Sequence, residues 1–180
     1  MNPPIDTITL GGGCFWCLEA VYERVRGVTK VESGYCNGAV PNPSYEQVCT
    51  GTTGHAEVVR VSFDTTQITL REVLEIFFVI HDPTTLNRQG NDAGTQYRSG
   101  IYVRSPAQEA VAREVLAEVN AHHGGRAVTE LTAEASYTRA EDYHQRYFEN
   151  NPGQGYCAFV VAPKVEKFRK TFAQRVRAAA

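Results

Sequence analysis

The chain has 180 residues, 42% of them hydrophobic and 21% charged, with 18 Lys plus Arg against 20 Asp plus Glu and a formal net charge of -2. That length suits one domain over residues 1–180 with a real core. No apolar run approaches the roughly 20 residues of a membrane helix, and the basic excess of a nucleic-acid binder is missing. The first ten residues lack a basic region followed by a long apolar stretch, so no secretory signal is expected and a cytoplasmic, soluble protein is. Five cysteines, Cys14, Cys17, Cys36, Cys49 and Cys157, are too few and too uneven to staple a small secreted scaffold. In a reducing compartment they stay free, bind metal or carry redox chemistry.

In chain order, residues 5–10 alternate weakly and predict a strand, which Gly11-Gly12-Gly13 ends in a turn. A helical pattern begins at Cys14, with Leu18, Val21, Tyr22 and Val25 on one side and Gly27 as the stop. Residues 28–35 predict a strand, 37–54 a Pro, Gly and Asn rich loop long enough to carry function, and 56–63 an alternating strand. Thr69 and Glu72 form a capping box ahead of a helix carrying Leu70, Val73, Leu74, Phe77 and Phe78. A second polar loop over 82–99 leads to a short strand at 101–104. Strand, helix, strand, strand, helix, strand is the split βαβ order, so the expected class is α+β, a ferredoxin-like two-layer sandwich with a C-terminal extension. That extension is expected to hold a helix from Ser105 and Pro106 to Gly124-Gly125 and a strand over 127–135. A helix over 140–150 and a basic amphipathic helix from Pro163 complete it.

Cys14 follows three glycines and opens a helix, where free N–H groups and the helix dipole favour a thiolate. The glycines would also let a substrate approach the backbone. Cys17 completes a Cys-x-x-Cys, able to close a disulfide; without a partner pair or suitably spaced His, structural zinc is not expected. Phe15 and Trp16 are large aromatics beside that sulfur, fit for an apolar pocket or for ordinary core packing. Glu57 shares a strand face with Val59, Val61 and Phe63, so burial would raise its pKa and keep a proton for general acid work, unless the strand end frays into solvent. Tyr45 lies in the first polar loop, Asp92 and Tyr97 in the second. Cys157 ends a flexible Asn151-Pro152-Gly153-Gln154-Gly155-Tyr156 turn that could swing its sulfur towards Cys14.

Gly13-Cys14-Phe15-Trp16 resembles the catalytic signature of the peptide methionine sulfoxide reductase A family. The resemblance continues through Asn42-Pro43-Ser44-Tyr45, Gly54-His55-Ala56-Glu57, His81-Asp82-Pro83 and Gln89-Gly90-Asn91-Asp92. Gly94-Thr95-Gln96-Tyr97, Glu141-Asp142-Tyr143-His144-Gln145 and Gly155-Tyr156-Cys157 extend it over most of the chain. It implies reduction of the S epimer of methionine sulfoxide, free or in proteins, with Cys14 attacking the sulfoxide sulfur. Glu57 would protonate the oxygen with help from Tyr45 and Tyr97, Asp92 would order the site, and Phe15 and Trp16 would hold the methyl group. The resulting Cys14 sulfenic acid would condense with Cys157, or alternatively Cys17, and an external dithiol protein such as thioredoxin would reduce the disulfide. No bound cofactor or metal and a monomeric chain are expected. The sequence departs from the commonest pattern in having Cys17 where many members have Gly, and in lacking a further Cys near a glycine-rich end. A general thioredoxin-like exchanger would need only Cys14 and Cys17, and would leave Glu57 and the loop tyrosines without a role.

Overall fold

Inward strand positions carry Ile8, Leu10, Val59, Val61 and Phe63, all buried under helices on one sheet face. The computed structural model describes residues 4–178. In order it contains β1 (Ile5–Gly11), α1 (Phe15–Tyr22), β2 (Val28–Cys36), α2 (Tyr45–Cys49), β3 (Ala56–Asp64) and α3 (Leu70–Ile80). Two-residue strands β4 (Arg88–Gln89) and β5 (Asp92–Ala93) follow, then a 3-10 turn Thr95–Tyr97, β6 (Gly100–Val103) and α4 (Pro106–His122). The rest is β7 (Glu130–Ala133), β8 (Thr138–Arg139), a 3-10 turn Asp142–His144, α5 (Tyr147–Asn150), a π turn Cys157–Val161, α6 (Ala162–Thr171) and a 3-10 turn Ala173–Arg175.

The six-stranded sheet has the order β7-β6-β1-β3-β2-β8. It is mostly antiparallel, with β7 alone running parallel to its neighbour β6. Each of the first two crossovers skips one strand: α1 leads from β1 to β2 with β3 between them, and α3 leads from β3 towards β6 with β1 between them. The register sets Leu10 opposite Val59, Gly11 opposite Gly100 and Glu57 opposite Tyr35. The ends of β1 and β3 therefore meet where β1 gives way to α1. On the other sheet face a smaller cluster of Cys36, Ala56, Val58 and Tyr102 is covered by Tyr137. No helix of the described residues is long and apolar enough to cross a membrane.

Local chemistry explains most boundaries. Thr69 and Glu72 make the reciprocal capping box, and Ser105 caps α4 with Pro106 in its first turn. Three expectations are corrected. The 37–54 loop contains α2, started by a second capping box in which Ser44 and Gln47 exchange side-chain and backbone bonds. The helix expected over 140–150 is broken: residues 138–139 join the sheet, 142–144 form a 3-10 turn, and Arg146 takes a left-handed conformation before the four-residue α5. The strand expected over 127–135 is only four residues long. These segments follow tertiary contacts, which routinely override local propensity.

Candidate active site

Cys14 is the N-cap of α1, with φ -65 and ψ 130, and its sulfur is enclosed by the protein. The glycines before it act differently from the sequence expectation of room for substrate. A Cβ on Gly12 would lie 3.0 Å from the His81 ring, and one on Gly13 would lie 2.9 Å from Cβ and Cγ of Gln89. Gly13 also has φ +90 and donates its N–H to the Tyr97 carbonyl at 3.2 Å. The space is filled by His81 and Gln89, which brace the turn from behind. Gln89 accepts the Asp82 N–H at 2.9 Å, and His81 Nε2 pairs with Ser99 Oγ at 2.7 Å. Gly13→Ala is expected to cost about 1–3 kcal/mol of stability through left-handed strain and overlap with Gln89, measured by chemical denaturation. A loss below about 0.5 kcal/mol, the size of an ordinary surface change, would remove this role.

Glu57 is buried, on the same face as Val59, Val61 and Phe63, as its alternation implied. Its Oε1 accepts the Phe15 N–H at 3.2 Å, so the carboxyl sits at the opening of α1 beside Cys14, while Oε2 is buried without a partner. Burial pushes the Glu57 carboxyl up to about 8, the Phe15 amide pulling it down and the charge of Asp92 adding to the rise. Glu57 is thus predominantly a neutral acid at neutral pH.

The thiolate expected from the helix N-terminus is corrected. Burial pushes the Cys14 thiol well above its ordinary value, and the charges of Glu57 and Cys17 add to this. The Trp16 amide and the Tyr156 hydroxyl act the other way but do not prevail. One reason is geometric: the first helical N–H, that of Phe15, is given to Glu57. The resting pair is a thiol beside a protonated carboxyl.

The remaining expected residues converge here. Burial raises the Tyr45 and Tyr97 hydroxyls above their ordinary value, and both also feel the charges of Glu57 and Cys14. Asp92 accepts the hydroxyl proton of Tyr156. The Phe15 ring lies 6.4 Å from Tyr45 in a stacked arrangement. Trp16 stacks flat on Tyr147 at 3.7 Å, meets Tyr156 edge-on, and donates its indole N–H to His144 Nδ1 at 3.0 Å. That bond assigns the His144 proton to Nε2, which is buried without a partner. Sequence reading gave no role to His144, Tyr147 or Tyr156, although His144 and Tyr156 lie within recognisable motifs. Cys17 and Cys157 are buried in the same core cluster as Cys14; Cys49 is exposed and Cys36 lies on the opposite sheet face. Among the described residues no three His, Cys, Asp or Glu side chains gather to hold a metal. A broad groove between α3, α4 and α6 borders the site through His81, Gln89, Asp92 and Tyr156; neither Cys14 nor Glu57 lines it.

The site thus sets a buried thiol beside a protonated carboxyl under an aromatic wall. The family profile described as peptide methionine sulfoxide reductase matches residues 6–176. The chain belongs to this family. It is 57% identical over 172 residues to peptide methionine sulfoxide reductase MsrA of Polynucleobacter asymbioticus, covering 94% of this chain and 90% of the relative. Methionine sulfoxide reductase A of Corynebacterium diphtheriae is similar in structure, with a TM-score of 0.80 at 42% identity over 88% of this chain and 80% of that one. Mxr1 of Saccharomyces cerevisiae in complex with Trx2 also matches, with a TM-score of 0.56 at 26% identity over 82% of this chain and 89% of that one.

Proposed function

We propose that this chain reduces the S epimer of methionine sulfoxide, free or in proteins, to methionine, with Cys14 as nucleophile and Glu57 as general acid. The observation that carries the assignment is the shared position of the two groups, Glu57 accepting the amide of the residue that follows Cys14. A sulfoxide oxygen leaves poorly until it is protonated. Glu57 donates its proton to that oxygen as the Cys14 sulfur attacks the sulfoxide sulfur, and the thiol proton returns to the carboxylate. The hydroxyl then passes from the sulfoxide sulfur to the Cys14 sulfur as the old S–O bond and the transient bond between the two sulfurs break, so one thiol and one sulfoxide become one sulfenic acid and one thioether. Tyr45 and Tyr97 hydrogen-bond the oxygen, Asp92 holds Tyr156, and Phe15 with Trp16 encloses the methyl group.

The sulfenic acid condenses with a second thiol, expelling water, and an external dithiol protein restores both thiols by exchange. Cys157 is the proposed resolving thiol. It lies in a π turn, a local irregularity common at functional sites, next to Tyr156, whose hydroxyl bonds Asp92. A second reading has support too: Cys17 lies one helical turn from Cys14, its N–H bonded to the Cys14 carbonyl at 3.1 Å, and Cys157 is among the groups that raise its thiol. Thioredoxin is the proposed reductant, since Mxr1 is known in complex with Trx2. The strand order β6-β1-β3-β2 supports a ferredoxin-like sandwich extended at its C-terminus, acting as one domain and as a monomer because one chain supplies every group. Five unpaired thiols suit the reducing cytoplasm.

The test is stoichiometric. Reduced protein mixed with methionine sulfoxide, without added reductant, should yield at least one equivalent of methionine, and none would refute the reading. Cys157→Ser should leave that first equivalent intact and slow turnover with thioredoxin. If Cys17→Ser alone abolishes disulfide formation, Cys17 takes the resolving role.

A further inference from the structure

We propose that Glu19, to which the reaction itself gives no part, is a positioning residue that clamps the 144–147 corner onto α1 and thereby holds the Trp16 wall of the substrate pocket in a proton-dependent way. This deepens the reading above, which makes Trp16 part of that pocket. Glu19 is buried one turn along the helix that Cys14 opens. Its Oε1 accepts the Tyr147 N–H at 3.2 Å and its Oε2 accepts the Ser33 hydroxyl at 3.2 Å. No cation of the described residues forms an ion pair with it: the Arg146 guanidinium turns to Glu23 at 3.3 Å.

The clamped corner needs such a hold. Arg146 has φ 55 and ψ 38, a conformation sparsely populated by residues that carry a side chain, so it persists where the surroundings impose it. What the corner carries is the back of the pocket. Tyr147 stacks on the Trp16 indole, and His144 accepts its N–H. One helix therefore presents Trp16 at its start and, a turn later, the carboxyl that holds the backbone of Tyr147, on which Trp16 stacks.

A buried carboxyl that accepts an amide and a hydroxyl grips the corner best as a neutral acid, because ionising it where water is excluded costs more than those bonds return. Burial pushes Glu19 up to about 7, with the Arg146 and Tyr147 amides and the Ser33 hydroxyl opposing and the Glu23 charge contributing to the rise. The groups acting on it are the Glu23 charge on α1, the Ser33 hydroxyl on β2 and the amides at the start of α5, while the cations Arg146 and Arg24 pair with Glu23 and Glu149. The closed corner therefore holds a proton that an opened, solvated corner would release, so the clamp loosens and the KM for methionine sulfoxide rises as pH rises through about 7. The His144 imidazole is pushed down by burial, which moves its own titration to the acid side.

Trp16 is the single tryptophan, so its fluorescence reports on the corner directly and needs no turnover. Wild-type emission is expected to change with a midpoint near pH 7, and Glu57→Gln, which removes a carboxyl titrating near 8, should retain that step. Glu19→Gln keeps the shape and an acceptor for Tyr147 but cannot ionise, and should lose the step together with the neutral-range pH dependence of KM. Glu19→Ala should raise KM roughly tenfold, the size of one buried amide left without its acceptor, with kcat changed less than about threefold. An unchanged emission step in Glu19→Gln, or a Glu19→Ala enzyme with wild-type KM, would overturn the proposal. If Glu19→Ala fails to fold, the Gln variant decides. Loss of the step in Glu19→Gln alongside a wild-type protein that makes no methionine would uphold the clamp and reject the sulfoxide reading, so the two failures separate.

Discussion

Cys14→Ser is expected to make no methionine above background when the reduced variant is mixed with excess methionine sulfoxide, while the wild type makes at least one equivalent. The reason lies in the electrons. Reduction of a sulfoxide needs an atom that can accept the oxygen, and sulfur does so by becoming a sulfenic acid. A serine oxygen in the same place would have to form an oxygen–oxygen bond. The other four thiols cannot stand in at this position: Cys36 lies on the far sheet face, Cys49 is exposed in α2, and Cys17 and Cys157 are buried behind the start of α1. Amino-acid analysis after a single exposure gives the count, and circular dichroism checks that the fold persists. An equivalent of methionine from Cys14→Ser would show that another sulfur takes the oxygen.

Glu57→Gln should slow the same first equivalent by roughly 10²–10⁴, the usual contribution of a positioned general acid. Gln preserves the size of the side chain and an oxygen for the Phe15 amide, but it has no acidic proton to give. The pH dependence has a definite sign. Burial raises Glu57 to about 8 from an ordinary 4.5, so the wild-type rate of sulfoxide reduction falls as pH rises past about 8, and the variant lacks that decline. Stability is linked in the same direction. Between 4.5 and 8 the native state holds a proton that the unfolded chain has released, so the stability attached to Glu57 is fully present below 4.5 and lost as pH rises through 8. Denaturation at several pH values should show a shallower decline for Glu57→Gln. A rate loss below tenfold would assign the proton to another group.

The face on which Glu57 lies is legible in the sequence because a strand has a period of two and Val59, Val61 and Phe63 mark the inward side, while its burial at the strand's end is decided by the fold. The capping residues Thr69 and Ser105 are legible for a similar reason: their action is confined to one helix turn. The 140–150 segment is not. Its residues suit a helix locally, but Gln145 bonds both N–H and C=O of Ser33, and Glu19 takes the Tyr147 amide, so the chain follows β2 and α1. His144 escapes notice because nothing near it in sequence announces that its partner is Trp16, 128 residues away. The brace behind the glycines is equally hidden, since His81 and Gln89 reach it from the far side of α3 and from β4.

The ionisation of Cys14 divides the two kinds of information most sharply. Local sequence supplies the glycine turn, the helix start and the sulfur at its cap, all of which favour a thiolate. Tertiary structure adds burial, a neighbouring acid that takes the first free amide, and a second thiol, and these raise the thiol instead. The residue types, their order, the inward faces and the helix caps were determined by the sequence by itself, because each depends on neighbours within one turn or one pleat. Protonation states, the aromatic wall around Trp16 and the choice of partner for each thiol were decided only by the tertiary structure. They depend on how far water is excluded and on which distant groups share the enclosed space, quantities that no short window of residues contains.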